Sequence, residues 1–495
     1  MQFLKLPFVI IFFTALMGCG KMDKSSVPQS SFPKDDLNQV FNAINNDVLA
    51  HSEAYENLEK ASLEIGHRLT GTSNGKKAET FAYQLLKEYG YSDLEYFPFR
   101  LMAWSRGSVS LNINQKNDAY NVPVVSLAHS PLEYDGKASL VDAGNGLQSD
   151  FERVNVSGKI VLLNLFLNDS NPRAKNLHRT EKAAMAIEHG AAGLIFVNGV
   201  LGNVLLTGAA SVTGELIPIP AVCIGMENGD AIRNALQNGP VQAHITMKNH
   251  ADHISARNVI ARIKGSTWPD EKIVLGGHLD SWDLSQGAID NGIGSFTVIE
   301  IARVFKKLKL QPRRTVEFVL FMGEEQGLLG SSSMVEDHIK TGKMEQIKYM
   351  INLDMSGNAI GFRSMGRTEM EPWLKAIGQK ISKIDPVFQN KVGGQAGLHS
   401  DHQPFLLEGV PILGIHSNLD PSVYQFYHSD GDNFNLVDKS HLENGARFIA
   451  MMVYALANAE QIPAKKFTFE QTREFLILQG LKEKLTLGKE WKWKN

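Results

Sequence analysis

The sequence predicts an α/β protein: a mostly parallel or mixed sheet flanked by helices, with a β-rich segment inserted into it. Three observations carry that expectation. From Ile254 onward, strand-like runs alternate with helical ones, as when parallel strands are joined by crossover helices. Between about Asp118 and Asn249 the texture changes to short β-type runs separated by Gly, Asn and Asp. Ahead of that stretch, apolar residues recur at helical spacing.

In chain order, Leu37, Val40, Phe41, Ile44 and Val48 mark one face of a first helix. A second runs from about Gly75 to Tyr89, with Ala78, Phe81, Ala82, Leu85, Leu86 and Tyr89 on one side and Gly90 as its stop. Between them lies the loop Ile65-Gly66-His67-Arg68-Leu69-Thr70-Gly71-Thr72. The insert holds β-type runs at 123–127, 138–141, 159–165, 193–197 and 220–224, and a helix at about 179–189. Beyond it, strands are expected at 259–263, 272–275, 315–321, 349–353 and 411–415, with helices at 295–308 and 443–457. The tail from Phe467, with Trp491 and Trp493, has no assigned role in this reading.

Composition narrows the function. A formal net charge of -3 without a long basic run argues against a nucleic-acid partner. The fifteen histidines are scattered, unlike the tracts of a metal buffer. Five side chains nevertheless form a coherent set: His278 in G-G-H-L-D, Asp290 in A-I-D-N-G, Glu325 in M-G-E-E-Q-G, Asp354 in N-L-D-M-S-G and His428 in Y-H-S-D-G-D. Two imidazoles and three carboxylates suit a pair of zinc-like ions with one carboxylate bridging. His278, Glu325 and Asp354 each follow an expected strand, and ligand sites in open α/β sheets form at those carboxyl ends. Glu324, beside Glu325, is left over, as the general base of a hydrolase would be. Asp280, two residues after His278, is placed to accept a hydrogen bond from that imidazole.

The N-terminus reads as a targeting segment. Lys5 precedes an apolar run, 6–17, that is too short to span a bilayer and has the character of a signal peptide. Leu16-Met17-Gly18-Cys19 resembles a bacterial lipoprotein box, which implies a lipidated Cys19 and a membrane partner through that lipid. Gly20 after the Cys favours an exported protein on the periplasmic face of an outer membrane. A flexible Ser/Pro/Lys/Asp-rich tether is expected to follow. With Cys19 lipidated, Cys223 has no cysteine to pair with and is expected to be a buried small hydrophobe.

The segment from Gly276 to Gly292, with Gly323-Glu324-Glu325-Gln326-Gly327, resembles the M28 family of co-catalytic zinc peptidases. H-L-D-S-W-D and the early I-G-H-R-L-T-G resemble its carboxypeptidase Q branch and the bacterial aminopeptidase-like relatives, and the insert resembles a protease-associated (PA) domain. The resemblance implies a zinc exopeptidase fold and a catalytic domain split over 37–117 and 250–495. It also implies a PA-like insert at 118–249; the N-terminal reading places the signal segment at 1–19 and the tether at 20–36. The resemblance implies two zinc ions, one on His278, Asp290 and Asp354 and the other on Asp290, Glu325 and His428, with Glu324 as general base and Tyr427 stabilising the oxyanion. Dipeptides or short peptides are the implied substrates, and a second copy of the chain is carried as a partner. Two departures stand out: Asn291 follows the bridging Asp where several relatives have Asp, and the last histidine lies in Y-H-S-D-G-D, so Asp430 or Asp432 adds negative charge. His399, His402 and His416 compete with His428 for the last ligand position, and Ser400-Asp401-His402 is expected either near the substrate pocket or in a structural role. Against this stand a one-zinc glutaminyl cyclase and a non-catalytic binding protein. The sequence leaves open which substrate terminus is read.

Overall fold

The computed structural model describes residues 36–116, 118–168 and 175–494. Cys19, the signal segment and all of the tether except Asp36 lie outside the described residues. The centre of the fold is a mixed sheet. Ile412–Ser417, Ile347–Asn352, Trp268–His278 and Arg314–Phe321 lie side by side and parallel, with antiparallel neighbours outside them. All residues of Arg314–Phe321 are buried. Its side chains alternate between two cores: Val316, Phe318 and Leu320 pack in one, Val319 and Phe321 in the other. Each such side chain contributes about 1.5–3 kcal/mol by leaving water. The first core is roofed by Leu37–His51, Ile293–Lys307 and Lys439–Asn458, and the amphipathic spacing read for the first helix buries Val40, Phe41, Ile44 and Val48 as expected.

The insert is joined to that sheet by two strands far longer than the sequence reading allowed. Leu94–Gln115 and Gln242–Ile263 pair antiparallel along their lengths. Gln242–Ile263 contacts Arg314–Phe321 at one end and Glu133–Asp142 at the other, so it carries the sheet from core to insert. Only 259–263, with the apolar run Val259-Ile260-Ala261, read as a strand. The rest of the strand alternates buried residues with His244, Lys248, His250 and Asp252, which masks it from an average over hydropathy. Beyond it, Glu133–Asp142, Ile160–Asn164, Gly193–Val197 and Ala221–Ile224 run parallel, with helices at Gln148–Arg153, Arg179–Glu188 and Met226–Gln237. Cys223 is fully buried there.

The tail docks on the core. Leu476 of Phe469–Leu478, Leu485 of Lys482–Leu487 and Trp493 beyond them are buried in one cluster with Val319, Phe321 and Phe405, and the Trp493 indole donates to the Phe469 carbonyl at 2.9 Å. Among the described residues, no helix is long and apolar enough to cross a membrane.

Candidate active site

Strand register assembles the site. Phe321 pairs with His278, and Asn352 with Gly276, so the segments that leave these strands emerge together. His278 closes its strand, Glu324 and Glu325 follow Phe321, and Asp354 follows Asn352. Asp290 sits in the turn Ala288–Gly292 that opens the Ile293–Lys307 helix, and His428 follows Pro421–Phe426. The five side chains meet. His278 Nε2 lies 3.3 Å from Asp290 Oδ1 and 3.5 Å from Asp354 Oδ1. His428 Nε2 lies 3.0 Å from Asp290 Oδ2 and 3.2 Å from Glu325 Oε2. The two oxygens of Asp290 therefore face two different triads.

The donor set fits divalent cations. Atoms bound to one tetrahedral ion at about 2.0–2.1 Å stand about 3.3 Å apart, close to the spacings here. The tautomers argue the same way. His278 Nδ1 donates to the Asp280 carbonyl at 3.1 Å, and His428 Nδ1 to the Thr207 carbonyl at 3.2 Å. With Nδ1 committed to a carbonyl, Nε2 faces the carboxylates: without a cation it must carry a proton and donate to them, and with one between them its lone pair is free to bind. Glu325 Oε1, buried, has no hydrogen-bond partner.

The support differs from expectation at Asp280. Its main-chain carbonyl, not its carboxylate, receives the His278 proton; the carboxylate stands 3.8 Å from Nδ1. That carboxylate instead accepts from the Thr70 hydroxyl at 3.0 Å and the Glu324 main-chain N–H at 3.3 Å, so it ties the early loop to the Glu324 turn. The reason is geometric: the chain bends after the strand and brings the carbonyl to the ring edge first.

Several residues support the cluster in roles that the sequence reading did not give them. Asp432 accepts the main-chain N–H groups of Ile289 at 2.7 Å and Asp290 at 2.9 Å and so fixes the Asp290 turn. Asn291 donates to the Leu353 carbonyl at 2.7 Å and accepts from Met355 at 3.0 Å; an aspartate there would lack the donor. Arg68, fully buried, donates to the carbonyls of Leu279, Gln286 and Gly287 at 2.6–2.7 Å. Contacts this distant in sequence leave no local signal, although Arg68 lies within the I-G-H-R-L-T-G loop.

Electrostatics single out Glu324. Burial pushes its carboxyl well above the ordinary range, and Glu325, Asp354 and Asp401 push the same way while His278 opposes. Burial opposes charging His278, yet Glu324, Asp290 and Asp354 raise its pKa well above the usual value. Asp290 is held low: burial works against it, but hydrogen bonds from His278 and His428 prevail. Burial raises Asp401 to about 7. A concentration of acidic groups of this kind favours a cation.

Of the remaining candidates, Tyr427 stacks on His428 with ring centroids 3.8 Å apart, and burial raises its phenol above the usual range. His399, His402 and His416 do not join the cluster: His399 faces Glu181 at 3.2 Å, and His402 and His416 contact the carbonyls of Gly397 and Gly393. The cluster opens into a cavity of about 320 Å³, bounded also by the insert and the tail. That is a small-ligand size.

Residues 258–453 match peptidase family M28, and residues 121–232 match the PA domain. The chain is 28% identical over 482 residues to carboxypeptidase Q of Rattus norvegicus, covering 93% of this chain and 99% of that one. The fold resembles a peptidase M28 precursor of Shewanella amazonensis with a TM-score of 0.74 at 23% identity, over 88% of this chain and 100% of the other. A zinc aminopeptidase of Bacillus subtilis superposes with a TM-score of 0.62 at 25% identity, over 84% and 97%.

Proposed function

We propose that this chain, a metallopeptidase built on a peptidase family M28 domain with a PA domain set into it, is a two-zinc exopeptidase acting on dipeptides or short peptides. The observation that carries the reading is the division of Asp290: each of its oxygens faces a different imidazole–carboxylate pair. His278, Asp290 and Asp354 would hold one ion, and Asp290, Glu325 and His428 the other. Bound there, the ions would supply Lewis acidity, acidifying a water and drawing electron density from the scissile carbonyl.

The chain's own residues do the rest. Glu324, raised by burial and by its acidic neighbours, takes the proton of the attacking water and passes it to the departing amine nitrogen as the C–N bond breaks. Tyr427, a neutral phenol beside His428, donates toward the carbonyl oxygen as negative charge grows on it. Asp280, Asp432 and Asn291 keep the turns in place so that positioning is settled before the substrate arrives. The catalytic part is taken as 37–117 with 250–495, and the insert as 118–249.

The apolar run at 6–17 and the lipoprotein-like box support export and lipidation of Cys19, with anchoring at the periplasmic face of an outer membrane. Cys19→Ser should move the protein to the soluble fraction.

The test of the enzyme reading is hydrolysis of Ala-Leu by the form lacking residues 1–19, with bound metal counted in the same sample. Two zinc ions per chain and chelator-sensitive turnover are expected. Full turnover in metal-free protein would overturn it.

A further inference from the structure

The cavity beside the metal-ligand cluster has a second charged end, and its charges are unequally matched. Arg179, at the start of the Arg179–Glu188 helix of the insert, is 8% exposed and lines the cavity. Its Nε donates to the Ala209 carbonyl at 3.0 Å, and Tyr427 lines the same cavity. Among the described residues, no carboxylate lies within ion-pair distance of it. Lys484, on Lys482–Leu487 of the tail, lines the same cavity and likewise has no acidic partner among them.

The acids of this end are engaged elsewhere. Glu181 accepts the main-chain N–H of His178 at 2.8 Å and faces His399 Nε2 at 3.2 Å. Glu490 accepts from the Gln403 amide at 2.6 and 2.7 Å. A buried guanidinium without a counter-ion is costly, and the cavity is the place from which one can arrive.

We propose that Arg179, assisted by Lys484, receives the free α-carboxylate of the substrate's C-terminal residue, so that the insert and the tail make this a peptidase of small peptides with a free carboxyl end. This rests on the exopeptidase reading above and names the terminus it reads. Arg179 and Tyr427 line one cavity with His428, on whose ring Tyr427 stacks, so the carboxylate site and the cluster open into the same space. Substrates with one or two residues beyond the scissile bond extend along that space at about 3.3–3.6 Å per residue. A guanidinium suits the planar carboxylate, which it can hold with two hydrogen bonds. Both cations lie outside residues 258–453, so the M28 domain alone does not contain this end of the pocket.

The experiment compares Ala-Leu with Ala-Leu amide, in kcat/KM for the zinc-loaded enzyme and in calorimetric binding to the zinc-loaded Glu324→Gln variant. The free acid should be preferred roughly 10- to 100-fold in both measurements, the size expected of a charged hydrogen-bond pair. Arg179→Gln should remove most of that preference by weakening the acid while moving the amide less than about threefold. Arg179→Lys should keep part of it. Lys484→Gln, on the half-buried tail helix, should reduce it without disturbing the insert. Equal handling of acid and amide by the unsubstituted protein, or equal losses on both in Arg179→Gln, overturns the proposal. Absence of turnover with a preserved binding preference would defeat the exopeptidase reading while leaving the carboxylate site standing.

Discussion

Asp432 holds Asp290 from behind: its Oδ2 accepts the Asp290 main-chain N–H at 2.9 Å, while the two Asp290 carboxylate oxygens face His278 and His428. Oδ1 of Asp432 takes the Ile289 N–H at 2.7 Å, so both of its oxygens are committed to the turn. Asp432→Ala should therefore leave the five cluster residues present but loosen Asp290, which faces both imidazoles. Zinc affinity, read by competition with a chromophoric chelator, should fall roughly 10- to 100-fold. Unchanged affinity would mean that the turn holds its shape without Asp432.

Glu324 and Glu325 are adjacent in sequence, and the structure gives them different surroundings. Glu325 Oε2 faces His428 at 3.2 Å, whereas Glu324 groups with His278 and Asp354. Glu324→Gln should keep two zinc ions per chain and lose about 10²- to 10⁴-fold in kcat, the range for removing a general acid–base group. Glu325→Gln should instead lose metal. The comparison needs only metal analysis and a rate with Ala-Leu; equal metal loss in both variants would dismiss the division of roles.

How far the sequence led depends on range. His278, Glu325 and Asp354 were legible as site candidates because each closes or follows a strand whose own apolar run announces it, as Asp354 follows Ile347–Asn352. Helices with a clean stripe were legible too. What was hidden depends on contacts across long separations. Arg68 is joined to Gln286, and Asp432 to Ile289, by bonds that no local pattern predicts. The long strand Gln242–Ile263 was hidden by its half-exposed stretch, and Ala54–Glu64 by a short apolar face whose buried members are Ala54, Leu58 and Ala61. Asp280 was found but misread, since the sequence gives no means of telling a carbonyl from a carboxylate at the ring edge.

Arg68 should matter for folding more than for chemistry. It is 0% exposed and closes three main-chain carbonyls of the segment that carries the Asp290 turn. Arg68→Met would leave those carbonyls buried without donors, a cost of about 1–3 kcal/mol for each one that cannot find a new partner. A fall of several kcal/mol in urea-unfolding stability is expected. A loss under about 1 kcal/mol would mean that water or a neighbouring donor takes over.

Metal removal should be felt as lost stability. Zinc at about 1,000 times its dissociation constant stabilises the bound fold by about 4 kcal/mol, provided the unfolded chain binds none. The apo-protein also keeps Asp290, Glu325 and their neighbours crowded without a cation. Chelation should therefore lower the melting temperature, and re-addition of zinc should restore it in a concentration-dependent way. A melting temperature indifferent to chelator would argue that the cluster is stable on its own.

His129 predicts a pH dependence unrelated to the metal cluster. The ring is 0% exposed, neither nitrogen has a hydrogen-bond partner, and burial lowers its pKa to about 4. In the unfolded chain a histidine titrates near 6.5, so below that pH the unfolded state binds a proton that the fold refuses. Stability contributed by the neutral ring is thus full above about 6.5, falls as pH drops, and is exhausted near 4. The loss amounts to about 2 kcal/mol at pH 5 and on the order of 3 kcal/mol at the acid limit. His129 also has φ of +68°, a left-handed conformation that asparagine tolerates well. His129→Asn should therefore keep the backbone while removing the titration. Urea unfolding at pH 7.5 and pH 5 should show a smaller acid-induced loss in the variant, in zinc-free buffer so that metal release does not contribute. An identical loss in both proteins would place the acid sensitivity in other groups.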